Sequence, residues 1–430
     1  MSLTRRWLDP IRSRWFINRP LKRSRLSPRS RLVVYLRLDD AYSYLAVQIL
    51  HQLDDILIAK YRPLKVVICT APPPEYPNHL SADAWLRYTL KDAQALAEQH
   101  RFIFQPQSYP PDQALMDQAL LVLRHTHLTG GEYLHLLQNV FHMLWQRQTG
   151  KLDTLWVVTQ RRAMMQSTSS DLQNERIVDR PLSMATIRFA GRDYRAIDDL
   201  LRLTRRLQRY KMFSQEPVFL IDHVEWQEHL VSDPVTLAHI QACHAELHVY
   251  LALEDPFSWL ILAYLKRDMV DYYNVQLKVH PLPYQHRDQF DWSLASRLSQ
   301  RVDVPFAPFC RPDADAVLKM ATLLYSLAPE HHVDTVLALL KGIWSEGLDP
   351  NFPQHLSRMF DQPYDLEINP QHVRQWLAQH QLEYERLQLP DLPAMVLRIG
   401  QDMHSFSGLY RVWRVETLLA QAADRPEEAS

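Results

Sequence analysis

The stretch LHVYLALEDPFSWLILAYL (247–265) joins two apolar runs through a pair of acids and a proline. The first run is typical of a buried strand, and the second has apolar residues at the three- and four-residue spacing of a helix. A similar stretch, LVVYLRLDDAYSYLAVQIL, occupies residues 32–50. The sequence therefore predicts one strand–turn–helix unit twice, with Asp39 and Asp40 at the first turn and Glu254 and Asp255 at the second.

The composition is that of an ordinary globular protein of two to three domains. The chain has 430 residues, of which 47% are hydrophobic and 23% are charged, and its formal net charge is −1. No global field therefore selects nucleic acid or membrane as a partner. Only 8 glycines are present, which argues against glycine-rich phosphate loops.

The cysteines point to a reducing compartment. Cys69, Cys243 and Cys310 are far apart, form no C-x-x-C pair and are odd in number. This pattern argues against a disulfide scaffold. No apolar run has the length of a membrane span, and the N-terminus lacks the apolar region of a secretory signal. We expect a cytoplasmic protein.

The order of predicted elements repeats along the chain. Three colinear matches relate the two halves at offsets near 200 residues, which suggests a duplicated domain rather than a short-repeat array. The predicted core strands are residues 32–38, 64–72, 184–191, 247–253, 275–283 and 394–400. The predicted helices are residues 41–61, about 82–165 with breaks near Pro110 and Gly130, 196–207, 256–273, about 292–382 with breaks, and 407–423. The resulting domain prediction is a basic arm (1–31), domain 1 (32–207), a linker (208–246), domain 2 (247–423) and a tail (424–430).

The N-terminal arm is rich in arginine, and Asp9 is its only acid. One interpretation is contact with an anionic surface, either a membrane or RNA. The other is a solvated or self-docked extension, since charge runs are usually solvated.

The motifs in this order resemble the DsbA-like thioredoxin-fold superfamily, especially 2-hydroxychromene-2-carboxylate isomerases and kappa-class glutathione transferases. The acid-x-aromatic-Ser-aromatic-Leu segments resemble the segment that follows the first strand of that family. YTLKDAQALAEQHRFIFQPQSYPP (88–111) is similar to its insertion helix, and LPDLPAMVLRIGQD (389–402) to its late loop, cis-proline and strand. The resemblance implies an α/β fold of two tandem thioredoxin-like domains, each with an inserted helical subdomain.

The resemblance also implies candidate site residues. Disulfide-exchanging members carry C-x-x-C at this segment, and glutathione-using members place there a serine that meets the glutathione sulfur. Carried onto this chain, the first position is Asp40 or Asp255 and the last is Ser43 or Ser258, which makes these four the catalytic candidates. The cis-proline position falls on Pro393 in domain 2 but on Met184 in domain 1. Glutathione is the implied candidate cofactor.

The physical chemistry of a helix N-terminus leaves three interpretations of the acids open. Free backbone N–H groups and the helix dipole favour a negative charge there, so we expect the aspartate pKa to be lowered. The acids then cap helices, or hold a cationic or amide ligand or act as a general base, or coexist with retained glutathione binding at Ser43 or Ser258. The candidate substrate-binding residues around the acids are Glu254, Phe257, Trp259, Pro393, Asp39, Tyr42 and Tyr44.

The other reactive side chains give weaker signals. His125, His127, His135 and His142 have no carboxylate or cysteine at ligand spacing, so no metal site is predicted. Cys69 is expected to be a buried small hydrophobe, whereas Cys310 lies on a turn that could expose it.

Two functions remain open from the sequence. One is a glutathione-dependent isomerase or transferase, with a small-molecule thiol as the expected partner in its groove. The other is a non-catalytic thioredoxin-fold binding or scaffold protein that docks a peptide or partner through its groove and the basic arm. Because Met184 stands at the cis-proline position of domain 1, domain 2 is the better candidate for activity. By analogy with paired single-domain members, the two repeats are expected to pack as an internal pseudo-dimer.

Overall fold

A computed structural model describes residues 31–62, 64–73, 80–104, 110–126, 128–165, 176–215, 229, 231–285, 292–360 and 368–424. The described residues up to 215 belong to one compact unit, and those from 229 onward belong to a second. Nearly all of the predicted basic arm and of the predicted tail lies outside the described residues. Each unit is described by itself below.

Domain 1 is built on a five-stranded sheet. The strands are β1 (Val33–Leu36), β2 (Lys65–Cys69), β3 (Ile177–Val178), β4 (Thr186–Phe189) and β5 (Arg192–Arg195). Their order in the sheet is β3-β2-β1-β4-β5, with β1 and β2 parallel and β4 antiparallel to β1. Buried and partly exposed residues alternate along β1 and β4, as expected for a sheet with one face on a core.

Helices cover and extend this sheet. The helix after β1 packs on the inserted helices that separate β2 from β3, and a last helix follows the β4–β5 hairpin. The helices are α1 (Ala41–Ile56), the inserted α2 (Ala82–His100), α3 (Gln113–His125), α4 (Gly130–Trp145) and α5 (Thr149–Met165), and the closing α6 (Leu200–Arg209).

A two-residue turn makes the β4–β5 hairpin. Phe189 pairs with Arg192, and the intervening Ala190 and Gly191 both have positive φ, 48° and 73°. Positive φ at both central residues matches the twist of a hairpin, and glycine adopts it without a steric penalty. The turn brings the end of β4 next to the start of β5.

Domain 2 has a four-stranded sheet. The strands are β6 (Glu246–Leu251), β7 (Gln276–Pro281), β8 (Ala394–Ile399) and β9 (Asp402–Ser407). Their order in the sheet is β7-β6-β8-β9, with β6 and β7 parallel and β8 antiparallel to both of its neighbours.

Apart from one helix that precedes β6, the helices of domain 2 follow the same order as those described in domain 1. One helix follows β6, several are inserted between β7 and β8, and one closes the domain. They are α7 (Pro234–Ala242), α8 (Pro256–Tyr264), the inserted α9 (Trp292–Arg301), α10 (Ala314–Tyr325), α11 (His332–Trp344), α12 (Pro353–Phe360) and α13 (Pro370–Leu387), and the closing α14 (Arg414–Ala423). Leu247, Val249 and Leu251 of β6 are fully buried in one core with Leu260 and Trp344.

Both sheets confirm the predicted fold class. Parallel β–α–β, a helical insertion, an antiparallel hairpin and a final helix are the thioredoxin-like arrangement with an inserted helical subdomain, and the chain contains it twice. All six predicted core strands are present. Strands β3, β5 and β9 were not predicted, and residues 407–413, expected to begin the last helix, precede it instead.

The ends of the predicted linker pack on the domains that flank them. Phe213 forms a bridge with Leu57, and the backbone N–H of Ser214 donates to the carbonyl of Ile56 at 2.7 Å. Helix α7 packs against α14 of domain 2. Among the described helices, none combines the length and apolarity needed to cross a bilayer.

Candidate functional site

In domain 1 the candidate site begins where β1 ends and α1 starts. Asp40 is the N-cap of α1, and its carboxylate accepts from the backbone N–H groups of Tyr42 at 3.3 Å and Ser43 at 3.0 Å. The Ser43 hydroxyl also donates to Asp40 Oδ2, at 2.6 Å. The backbone N–H of Ala185, just before β4, donates to the same oxygen at 3.0 Å. One carboxylate thus satisfies the helix start and ties it to the β4 loop.

Burial changes the expected charge behaviour of Asp40. The residue is 8% exposed, and burial raises the pKa of its carboxyl to about 6 despite the hydrogen bond from Ser43. The expectation of a lowered pKa is therefore wrong for Asp40. Desolvation penalises the charged form more than the hydrogen bonds favour it.

Domain 2 repeats the arrangement with a proline added. Asp255 is the N-cap of α8 and accepts from the backbone N–H of Phe257 at 3.1 Å, and Pro256 occupies the first turn. The Ser258 hydroxyl donates to Asp255 Oδ2 at 3.1 Å. Asp255 is only 1% exposed, so it does not face an open groove. Capping of α8 accounts for the bond from the Phe257 amide to this carboxylate.

The aspartate and the serine form a hydrogen-bonded pair in each domain. They stand three residues apart, at the first and last positions of the segment that carries C-x-x-C in the family resembled. Ser43 and Ser258 are both essentially unexposed, and each hydroxyl proton is directed at a carboxylate. Neither serine offers a free hydroxyl to a ligand sulfur.

Glu254 has a different environment from its neighbour. Its Oε1 accepts from the backbone N–H of Gln285 at 2.6 Å, whereas its Oε2 is buried without a hydrogen-bond partner among the described residues. Burial raises the pKa of this carboxyl to about 7, and the neighbouring Asp255 charge adds to the shift. A carboxyl in this state can take up or release a proton near neutral pH.

Its counterpart in domain 1, Asp39, is partly exposed. The guanidinium of Arg37 forms an ion pair with both oxygens of Asp39, through Nε at 2.9 Å and through Nη2. Arg37 Nη1 also donates to the carbonyl of Leu182 at 3.1 Å. The two acid pairs are thus not equivalent, because Asp39 is ion-paired in domain 1, whereas Glu254 of domain 2 is buried and accepts from a backbone N–H.

The aromatic residues expected to line a groove lie mainly in the interior. Tyr42 donates to Asp92 Oδ2 at 2.7 Å, and Tyr44, 1% exposed, stacks on Trp145 at 5.7 Å between ring centroids. Trp259 is buried and donates its indole N–H to a backbone carbonyl. Only Phe257 is partly exposed. Helical periodicity turns the other rings towards the core, so the structure does not place them on a groove wall.

The cis-proline expectation holds for domain 2. Leu392–Pro393 is the only cis peptide bond in the described part of the chain, so the Ser183–Met184 bond of domain 1 is trans. The N–H of Leu392 donates to the carboxylate of Asp391 at 2.9 Å, and the Pro393 carbonyl accepts from Gly408 at 3.0 Å. These two backbone groups are therefore bonded within the domain.

Several groups that contact the candidate acids were not predicted from the sequence. The amides of Ala185 and Gln285 act through the backbone, which leaves no signature in residue type. The ion pair of Arg37 with Asp39 could have been predicted, because residues two apart in an extended segment point to the same side. Cys310 proves buried rather than exposed, Cys69 is buried, and burial raises the pKa of the Cys69 thiol.

A further polar cluster in domain 2 lies on β6, β7 and α13. His248 Nδ1 and His280 Nε2 are 2.9 Å apart, and the His280 ring lies 5.2 Å from that of His380. Burial, followed by the neighbouring His380 and His248, lowers the pKa of His280 to about 3. No three His, Cys, Asp or Glu side chains within the described ranges are arranged to hold a metal ion.

Among the comparisons with known proteins, only the one with solved structures found matches. No family model matches the chain, and no curated protein matches it. A 2-hydroxychromene-2-carboxylate isomerase is 15% identical with a TM-score of 0.30, over 41% of this chain and 95% of its own. A probable DsbA oxidoreductase from Streptomyces coelicolor is 13% identical with a TM-score of 0.33, over 44% and 94%. The cytosolic disulfide reductase DsbM from Pseudomonas aeruginosa, solved with GSH, is 10% identical with a TM-score of 0.30, over 41% and 98%.

These similarities are too distant to carry an argument about activity. The strand order and strand directions of the two sheets define the fold without them. By that criterion, the chain has the thioredoxin-like fold, with a helical subdomain inserted in each of two domains.

Proposed function

We propose that this chain is a non-catalytic binding protein of the DsbA-like type that does not exchange disulfides. One observation carries the proposal. At the reactive position of both domains stands a buried aspartate whose carboxylate is bonded to helix amides and to the serine of its own motif. The partner would be a peptide or a protein, with the partly exposed Phe257 as an aromatic contact.

Glutathione does not suit the described arrangement. A ligand thiolate would approach the charge of Asp40 or Asp255, and like charges repel strongly at low dielectric. The serine that would meet its sulfur already donates to that carboxylate in each domain. We therefore propose that the site takes no thiol cofactor.

Two measurements test this proposal together. Isothermal titration of the full chain with reduced glutathione should show no binding, and the insulin-reduction assay should show no turnover. The double variant Asp255→Cys/Ser258→Cys restores two thiols at the helix start and serves as the positive control for the assay. Turnover by the natural chain, or glutathione binding that is lost in Ser258→Ala, would refute the proposal.

Glu254 supports a second candidate, proton transfer in domain 2. Its carboxyl combines a pKa near 7 with an oxygen that has no partner among the described residues. An acid or base that works at neutral pH needs such a pKa. One solved neighbour is an isomerase of 2-hydroxychromene-2-carboxylate, which supplies a substrate to try.

The test compares the natural chain with Glu254→Gln, which keeps the acceptor for Gln285 and removes the proton. Isomerisation of 2-hydroxychromene-2-carboxylate is followed by absorbance with and without glutathione. Activity that disappears in Glu254→Gln supports the second candidate and overturns the first. Equal rates in both proteins and in buffer exclude this reaction.

A further inference from the structure

Domain 1 carries a concentration of positive charge around its closing hairpin and helix. Residues 188–211 contain eight basic and three acidic side chains. The three acids are each within ion-pair distance of one arginine, in the pairs Arg188–Asp193, Arg195–Asp198 and Arg202–Asp199. Five cations remain, and within the described ranges none of them has a carboxylate partner. We call Arg192, Arg205, Arg206, Arg209 and Lys211 the arginine surface.

The fold brings these cations together on one side of the domain. Arg202, Arg205, Arg206 and Arg209 recur at three- and four-residue spacing on α6, opposite its buried Leu203 and Leu207. Arg206 donates to the Tyr194 hydroxyl of β5 at 2.9 Å and lies over the ring of Phe189. Arg192 pairs with that same Phe189 in the hairpin. The surface is therefore continuous from β5 to α6.

Aromatic rings, and not carboxylates, hold the central arginine. The Arg206 guanidinium lies 5.8 Å from the Phe189 ring centre and 5.9 Å from that of Tyr210. Such contacts fix the orientation of a guanidinium while leaving its charge uncompensated. A guanidinium fixed in this way is ready to bind a phosphate group, with little entropy left to lose.

The surface lacks what a peptide partner needs. Residues 176–215 are all described, and none of their large hydrophobic side chains is among the exposed ones. Protein interfaces normally depend on buried apolar or aromatic anchors at their centre. Phosphate-backbone contacts need only cations and fixed donors. Phe189 and Tyr194 are buried beneath the guanidinium groups, so they cannot stack on bases.

We propose that the arginine surface binds the phosphate backbone of a nucleic acid without reading its bases. The proposal is independent of the aspartate–serine pairs and goes beyond the function proposed for them. Each phosphate neutralised by a cation releases counterions, so the affinity should fall steeply as salt is added. A plot of log binding constant against log salt concentration should steepen by about 0.9 for each phosphate contact.

The proposal is tested by fluorescence anisotropy. A labelled DNA duplex of about 20 base pairs is titrated with the full chain at several salt concentrations. The variant Arg192→Gln/Arg205→Gln/Arg209→Gln should bind at least about tenfold more weakly, and its salt slope should be shallower by about 3. The matched control Lys60→Gln/Lys91→Gln/Lys151→Gln removes the same charge from exposed positions elsewhere in domain 1 and should bind as the natural chain does.

Three results would overturn the proposal. The first is that the natural chain does not bind the duplex at about 50 mM salt. Binding equal in the two triple variants would place the contact elsewhere, for instance on the N-terminal arm. If the arginine variant loses binding to vesicles rich in anionic lipid while duplex binding is unchanged, the surface contacts membranes instead. Circular dichroism of each variant establishes that it is folded.

Discussion

Replacing Glu254 by glutamine should make the stability of this protein less dependent on pH. The carboxyl pKa is about 7 in the fold against an ordinary 4.5, because the group is buried with one oxygen unpaired among the described residues. Between these two values the folded chain keeps a proton that the unfolded chain releases. Stability is therefore fully present below pH 4.5 and is lost as the pH rises through 7.

The size of the effect follows from the shift. About 2.5 pKa units at 1.36 kcal/mol each correspond to about 3 kcal/mol of stability lost between pH 4.5 and pH 8. Glutamine keeps an oxygen for the Gln285 amide and does not titrate. The free energy of unfolding of Glu254→Gln, minus that of the natural chain, should thus rise by about 3 kcal/mol over this range. The cost of packing the amide is the same at every pH and cancels from this difference.

Urea unfolding followed by circular dichroism at pH 5, 6.5 and 8 measures this difference. The exposed Glu330 provides the control, since Glu330→Gln changes the same formal charge in the same domain. Its difference from the natural chain should stay nearly constant. If Glu254→Gln also shows a constant difference, Glu254 does not carry a buried proton, and the second candidate function loses its basis.

Three further changes test neighbouring features by the same unfolding measurement. Asp255→Ala removes a helix cap and leaves the Ser258 hydroxyl without its acceptor, so it should cost about 2 kcal/mol, more than the same change at the exposed cap Asp233; an unchanged stability would contradict capping. Ser43→Ala removes the acceptor of the Arg37 amide and the donor to Asp40 and should cost about 2 kcal/mol, with a larger loss at pH 8 than at pH 5 because the charged carboxylate loses more. The imidazole pKa of His280 is about 3 in the fold, so protons favour the unfolded chain below pH 6.5, and the natural chain should lose about 1 kcal/mol of unfolding free energy by pH 5.5. His280→Gln does not titrate and should abolish this loss. Equal acid sensitivity in both proteins would rule this out.

The six core strands could be predicted from the sequence because they are apolar and bounded by turns. Both β1 and β6 run into an acid at a helix start, which is a local signal. The hairpin strands β5 and β9 escaped because their residues are mostly polar. RDYR and DMHSFS show little apolar alternation, and only the glycines at 191 and 400 mark the turns before them.

The candidate site was predictable in position but not in chemistry. Spacing along the chain placed Asp40 next to Ser43 and Asp255 next to Ser258. It could not show how deeply each carboxylate is buried, which depends on residues far away in sequence. That depth reverses the expected pKa shift of Asp40, and it separates Glu254 from the ion-paired Asp39.

The bond from Ala185 to Asp40 spans 145 residues of chain. Its other two partners, Tyr42 and Ser43, lie within one helical turn and are available as soon as α1 forms. During folding the carboxylate can therefore cap its helix early, while water still reaches it. The Ala185 amide reaches the Asp40 carboxylate only when β4 joins the sheet. That step closes a long loop and therefore costs chain entropy. The burial of Asp40 is thus coupled to the pairing of β4 with β1.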